Sequence, residues 1–346
     1  MRVSCVPLVL VLVAECFAQQ EEWERSTLAA LQWAASGQYL AAAEALNEAL
    51  KAAKASGLDD SRLATTWNRL GWMDTELGRY REAERAFRQA AKILERRGKE
   101  HADYARVIGN LANLYTHWGR YAEAGELAQR ALDILSKTLP ADDPDLAIGI
   151  GRLAHLDMLG GHYRDAEALQ RQALAICKLH PNQPDIAVAL NNLAETLVGL
   201  KRYAEAESLL VEALELFAGS AGPVHPITGL LLCNLGALRL HLHQDADAER
   251  LLARSLAISR RTLGEGHPLV AKTSLVYARA LRKLNHKGEA REQERRARAV
   301  LASRRWEDAG RYTVDARTLA EPRDRRAKGR PSVPGRVPTP AGRHGA

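Results

Sequence analysis

Between Pro184 and Leu216 the apolar residues fall at helical spacing in two runs, PDIAVALNNLAETLVG and YAEAESLLVEALEL, separated by Leu200-Lys201-Arg202. Apolar residues three and four apart give each run one sticky face, which predicts two amphipathic helices folded back on each other. Small residues interrupt that face at Ala194, Ala206 and Ala213, whereas Leu193, Leu209, Leu210 and Leu214 are large. Antiparallel helices come within about 8–10 Å of each other only where their side chains are small. The alanines therefore mark the crossing and the leucines fill the space beside it.

The unit recurs along the chain. Tyr203, just after the turn, has counterparts at Tyr39, Tyr80, Tyr121, Tyr163, Asp245 and Lys287, spaced by 40 to 42 residues. Three residues after each marker stand Ala42, Ala83, Ala124, Ala166, Ala206, Ala248 and Ala290. Nine before it stand Ala30, Gly71, Ala112, Ala154, Ala194, Gly236 and Ala278. Ten after it stand Ala49, Ala90, Ala131, Ala173, Ala213, Ser255 and Ala297. A period of roughly 20–50 residues is the mark of a solenoid. The expected repeats run over about 22–56, 60–98, 102–139, 144–180, 184–220, 226–264 and 268–304. Pro144, Pro184, Pro226 and Pro268 should open first helices, where a missing N–H costs nothing. The residues before them, Asp143, Gln183, His225 and His267, stand at or near the N-cap. The first repeat is expected to have a short first helix after a polar lead-in at 19–26, and the seventh a charged, solvent-facing last helix carrying Gln293, Glu294 and Arg298.

These residues resemble the tetratricopeptide repeat: the small residue in helix A, the Tyr at the turn and the two Ala of helix B are that family's marks. The period near 42 and loops such as Gly266-His267-Pro268 are similar to the longer subtype of kinesin light chains. The resemblance implies an all-α fold, a right-handed α-solenoid of about seven repeats, over residues 19–305. It also implies that helix A lines the concave wall. The groove-facing positions are then Asn68, Asn110, Asn113, Arg152, His155, Asn191, Asn192, Glu195, Asn234 and Arg279. The family's Asn-Leu-Ala motif is matched at Asn110-Leu111-Ala112 and Asn192-Leu193-Ala194, and nearly at Asn234-Leu235-Gly236. In relatives such asparagines hold the backbone of an extended peptide. An amide side chain offers donor and acceptor together and so pairs with a peptide group in any sequence context. The alternative is that these amides bond neighbouring helices and set the superhelix.

The N-terminus changes the picture of where the chain works. Residues 1–18, MRVSCVPLVLVLVAECFA, carry Arg2, an apolar run from Val6 to Ala14, and small residues before Gln19. This is the pattern of a secretory signal cut after Ala18, and the run is shorter than the roughly 20 residues that span a bilayer. A secreted or periplasmic location is expected. Cys5 and Cys16 would leave with it; Cys177 and Cys233 stand two repeats apart, beyond the ~7 Å reach of a disulfide.

Charge and chemistry add less. Residues 306–346 form a basic tail; from Arg317 it has seven Arg and one Lys against Glu321 and Asp324, so the solenoid itself is nearly neutral. Residues 320–346 hold five prolines and read as disordered; Tyr312–Asp315 has some strand character. The tail suits anionic envelope surfaces, and no nucleic-acid partner is expected. No phosphate loop, HExxH, GxSxG or paired CxxC is present, so no catalytic residue, metal or cofactor is expected. His225 and His267 recur as repeat positions rather than converging on one ion. The expected function is an exported, non-catalytic scaffold that binds a peptide or protein segment on its concave face. The alternatives are an envelope assembly factor using the convex face, the ends and the tail, and an enzyme whose site carries none of these motifs.

Overall fold

The computed structural model describes residues 6–55, 59–180 and 183–305, the side chains of 6–17, 183–184 and 303–305 aside. Among these residues the chain is all helix, in seven antiparallel pairs. The first helices of the pairs are α1 (Val6–Ala35), α3 (Asp60–Glu76), α5 (Ala102–His117), α7 (Pro144–Leu159), α9 (Gln183–Gly199), α11 (Pro226–His241) and α13 (Pro268–Lys283). The second helices are α2 (Tyr39–Ala55), α4 (Tyr80–Glu95), α6 (Tyr121–Thr138), α8 (Tyr163–Leu179), α10 (Tyr203–Ala221), α12 (Asp245–Leu263) and α14 (Lys287–Arg305). The expected tail and its Tyr312–Asp315 segment lie outside the described residues.

The small columns are the crossing points. All seven alanines three after the turn marker, from Ala42 to Ala290, have 0% of their surface exposed. The columns nine before and ten after it are likewise buried throughout. Large residues fill the space between crossings, in clusters such as Leu190, Leu193, Leu197, Leu210 and Phe217. Each fully buried leucine of this kind contributes about 1.5–3 kcal/mol.

The turns are as regular as the crossings. Two residues before each marker the backbone is left-handed, at Gly37, Gly78, Gly119, Gly161, Lys201, His243 and Asn285. The residue one further on in every described turn bonds its amide back to helix A, as Arg79 N–H does to Asp74 O at 2.7 Å and Arg202 N–H to Leu197 O at 2.9 Å. This closes helix A and sets helix B antiparallel to it.

The helix starts follow the expected caps. Asp143 Oδ1 accepts from the Asp145 amide at 2.9 Å, His225 Nδ1 from Ile227 at 3.1 Å and His267 Nδ1 from Leu269 at 3.1 Å. Helix α9 begins one residue earlier than expected, at Gln183, and α10 runs through Ser220 to stop at Gly222. The first helix is longer than expected. The polar residues 19–26 are helical, because Gln and Glu are strong helix formers and Trp23 Nε1 anchors this stretch by donating to Thr66 Oγ1 at 2.9 Å. The last helix, α14, buries Ala290 and Ala297 and meets its neighbours through charge: Arg282 pairs with Glu294 at 2.7 Å. No helix among the described residues is long and apolar enough to cross a membrane.

Candidate functional site: the helix-A wall

Helices α3, α5, α7, α9, α11 and α13 stand side by side and form the inner wall. Each presents the residues twelve, eleven, eight and four places before its turn marker. A helix turns about 100° per residue, so residues spaced by four and by seven or eight share a face. On α3 these are Asn68, Arg69, Trp72 and Glu76; on α5, Gly109, Asn110, Asn113 and His117; on α7, Arg152 and His155. On α9 they are Asn191, Asn192 and Glu195, and on α11 Cys233, Asn234 and His241.

The wall curves until it meets itself. The turn between α1 and α2 lies against the loop before α11: a Cβ at Gly37 would fall 2.4 Å from Pro226 Cδ. Tyr39 stands edge-on to His225 with ring centroids 6.3 Å apart. The end of α3 lies against the loop before α13, where His267 Nε2 is 2.6 Å from the Glu76 carbonyl oxygen. The first repeat thus touches the loop between the fifth and sixth, and the second repeat the loop between the sixth and seventh. The concave face is a lumen.

Its electrostatics follow from that enclosure. Many protein atoms crowd around Glu76, His117, Arg152, His155 and Lys272, though Glu76, Arg152 and His155 are only half-buried and His117 and Lys272 are exposed to the water in the lumen. Loss of water disfavours their charged forms. Burial raises the Glu76 carboxyl to about 7 against a bond from Trp72. It drives His117 down to about 3, helped by the charges of Lys272, His155 and His267. It pushes the Arg152 guanidinium down to about 10, with Asp145 pulling the other way. Burial lowers His155 and Lys272 too, each opposed by Glu195.

The amides pair with one another across helices. Asn110 Nδ2 donates to Asn68 Oδ1 at 2.9 Å, and Arg152 donates to Asn110 Oδ1, which ties α3, α5 and α7 together. Asn234 Nδ2 donates to Asn191 Oδ1 at 2.8 Å and to Glu195, and Asn191 Nδ2 donates to Glu195 at 3.2 Å, which ties α9 to α11. Six expected groove residues therefore form two ladders that hold adjacent helices in register. Each amide keeps spare capacity, since an Asn offers two donors and an oxygen with two lone pairs. Asn113, His155 and Asn192 line the wall outside the two ladders, Asn192 only accepting a long bond from Asn191 at 3.5 Å. Arg279 is exposed on α13.

Sequence reasoning places Arg69 on the wall, in the eleven-before column, and misses one wall cation, Lys272. Arg69 and Lys272 make no hydrogen bond or ion pair among the described residues, though Glu195 attracts Lys272. Lys272 lies fifteen before its marker, near the start of α13, and joins the lumen only through the curvature. Cys233 is buried, its thiol pushed up to about 11 by burial. Among the described residues no three His, Cys, Asp or Glu side chains converge to hold a metal.

A tetratricopeptide repeat family model matches residues 22–96, 103–179, 185–260 and 228–303. No curated protein matches the chain. A Podosopora anserina kinesin-light-chain protein with nearly identical TPR-like repeats is 25% identical over 59% of this chain and 97% of its own, with a TM-score of 0.45. A Rap protein complexed with Competence and Sporulation Factor is 16% identical over 75% of this chain and 80% of its own, with a TM-score of 0.58. The Cut9–Hcn1 hetero-tetramer of the APC/C is 15% identical over 78% of this chain and 45% of its own, with a TM-score of 0.57. The last two share the solenoid fold with this chain.

Proposed function

The chain belongs to the tetratricopeptide repeat family, and we propose that it is an exported, non-catalytic scaffold whose helix-A wall holds an extended segment of a partner protein. Proteins built of this repeat are typically protein-binding scaffolds. The observation that carries the reading is the chemistry of the wall. Donors and acceptors with spare capacity alternate along it, and two cations, Arg69 and Lys272, stand there without an ion-pair partner. An extended peptide has a peptide group every 3.3–3.6 Å, and such a wall can satisfy it without reading its sequence. The Rap protein of similar fold, solved with Competence and Sporulation Factor, gives a precedent for a bound partner.

Export is supported by Arg2, the Val6–Ala14 apolar run and the small residues ahead of Gln19. N-terminal sequencing of the protein from its own cells tests it, and a mature chain beginning at Met1 would refute export. The binding reading is tested by photo-crosslinking in envelope extract. Crosslinks from positions 113, 155 and 192 to a partner segment are expected. Substituting Asn110, Asn192 and Asn234 by Ala together should abolish them with helicity kept. Partner capture that survives these changes and is lost on truncation at Trp306 would refute the wall as the site.

A further inference from the structure

We propose that His225 and His267 are the two catches of a latch that shuts the superhelix on itself and controls access to the lumen; the access half of this rests on the wall being the binding site.

The geometry of the two caps is the first argument. Both positions are helix N-caps, where Ser, Thr, Asp and Asn are strongly preferred. The equivalent cap of α7 is Asp143, which bonds only its own helix through Asp145 N–H. An imidazole has two nitrogens on opposite sides of a rigid ring. One can cap while the other reaches out. At both positions Nδ1 does the capping, at 3.1 Å from the Ile227 and Leu269 amides. The far side of the His267 ring bonds the Glu76 carbonyl, in the last turn of α3, at 2.6 Å, and the far side of the His225 ring faces the Ala34 carbonyl in the last turn of α1. A carboxylate or amide at these caps would be too short to span the seam and, as a carboxylate, has no proton to donate.

The second argument is register. The two catches are the same cap one repeat apart, and their acceptors stand at the ends of helix A one repeat apart. Adjacent repeats thus meet adjacent loops, with the acceptors one residue apart in register, and this sets about five repeats to the turn. Glycine is fitted to it: at Gly37 the turn needs a left-handed residue, and a side chain there would run into Pro226 and His225. Phe217 and Tyr39 close on the His225 ring at 5.0 and 6.3 Å, and both Tyr39 and His225 are 4% exposed. His101, the like cap of α5, has no repeat five units earlier to reach, and its Nε2 is buried without a partner among the described residues.

The third argument is relative strength. Neighbouring helices share continuous apolar faces, whereas the seam has the His267–Glu76 carbonyl bond, His225 against the Ala34 carbonyl and the Tyr39 ring, and Leu263 packed on the Tyr39 cluster. Local openings are drawn from the contacts of lowest stability. The seam therefore opens before any repeat unfolds, and a partner segment enters sideways through the opened seam rather than by threading its end.

The test needs no partner. His225→Asn with His267→Asn keeps an N-capping side chain and removes the reach. Small-angle scattering should show a larger radius of gyration at unchanged helicity. Amide exchange at Gly37, Gln38, Leu77 and Gly78 should quicken at least tenfold. With the native cysteines replaced, His155→Cys should react with a polyethylene-glycol maleimide at least tenfold faster in the Asn variant, while the small N-ethylmaleimide gains less. Unchanged scattering and labelling would overturn the latch. Opening by the His→Ala pair but not by the Asn pair would also overturn it, since caps rather than reach would then be at work. Opening as expected in a protein whose crosslinks never reach the wall would refute the binding reading and leave the latch standing.

Discussion

Gly71 lies against the ring of Phe87 so closely that a Cβ built on it would fall 2.8 Å from two ring carbons. The pair joins α3 to α4 at their crossing, and the ring itself is 1% exposed. In the fifth repeat the same crossing pairs Ala194 with Leu210, both buried, whereas in the sixth a Cβ on Gly236 would fall 2.7 Å from Leu252 Cγ. Gly71→Ala should therefore destabilise the protein by about 1–3 kcal/mol through overpacking, despite alanine's better helix propensity. Adding Phe87→Leu should recover most of it. Urea unfolding of the single and double variants measures both, and a more stable single variant would contradict the crossing geometry.

Gln170 occupies the position that is Leu46, Leu210 and Leu252 in other repeats. It is 1% exposed, and neither amide atom has a partner among the described residues. A buried polar group without a hydrogen bond costs about 1–3 kcal/mol. Gln170→Leu should raise stability by that order, read as a higher melting temperature with unchanged circular dichroism.

Lys201 and His243 hold the left-handed turn position at φ of 62° and 58°, where four other repeats have glycine. A side chain there costs roughly 1–2 kcal/mol, partly offset in a glycine variant by greater freedom of the unfolded chain. Lys201→Gly and His243→Gly should each stabilise by about 0.5–1 kcal/mol. Lys201→Ala, which keeps the Cβ, should not.

Acid should weaken the seam. Burial pushes the His225 imidazole from 6.5 down to about 4, against a smaller upward pull from the Ala34 carbonyl. The closed state thus holds the neutral ring, which accepts at Nδ1 and donates from the other nitrogen. Its stabilisation is complete above pH 6.5 and is lost as pH falls from 6.5 through about 4, a change of at most about 3 kcal/mol. The groups facing His225 are the Tyr39 phenol, held neutral by burial, and the Phe217 ring, so no charge opposes this. Around His267 stand Glu76 and His117. Glu76 acts in the opposite sense: its carboxyl is raised to about 7, so its contribution is present below pH 4.5 and is lost as pH rises through 7. Denaturation midpoints between pH 4 and 8 should show His225→Asn flattening the acid limb and Glu76→Gln the neutral one. A wild-type acid limb that His225→Asn leaves unaltered would contradict the assignment.

The pairwise architecture was legible because the crossing imposes a local requirement. Only small residues fit at Ala42 or Ala206, so their period is written in the chain. The caps at Asp143, His225 and His267 and the turns at each marker were legible for the same reason. The wall positions were legible too, since helical periodicity places Asn113, His155 and Glu195 on one face. What those side chains bond was not. The pairing of Asn110 with Asn68 and Arg152, or of Asn234 with Asn191, depends on the spacing and tilt of neighbouring helices. Closure was further out of reach, because it arises from a small rotation accumulated over about five repeats. It leaves no separate trace in the sequence, since the same histidine cap stands at His101, away from the seam.

The contact between the Gly37 turn and the loop at Pro226 also makes the chain count. In an open solenoid a repeat can be gained or lost anywhere, because each unit knows only its neighbours. Here a duplication between the first and sixth repeats would carry His225 one unit past the turn it meets and put an unmatched loop in its place. Growth by duplication is compatible with the seam only outside that span, and the number of units within one turn is held by a contact between residues that no single repeat contains.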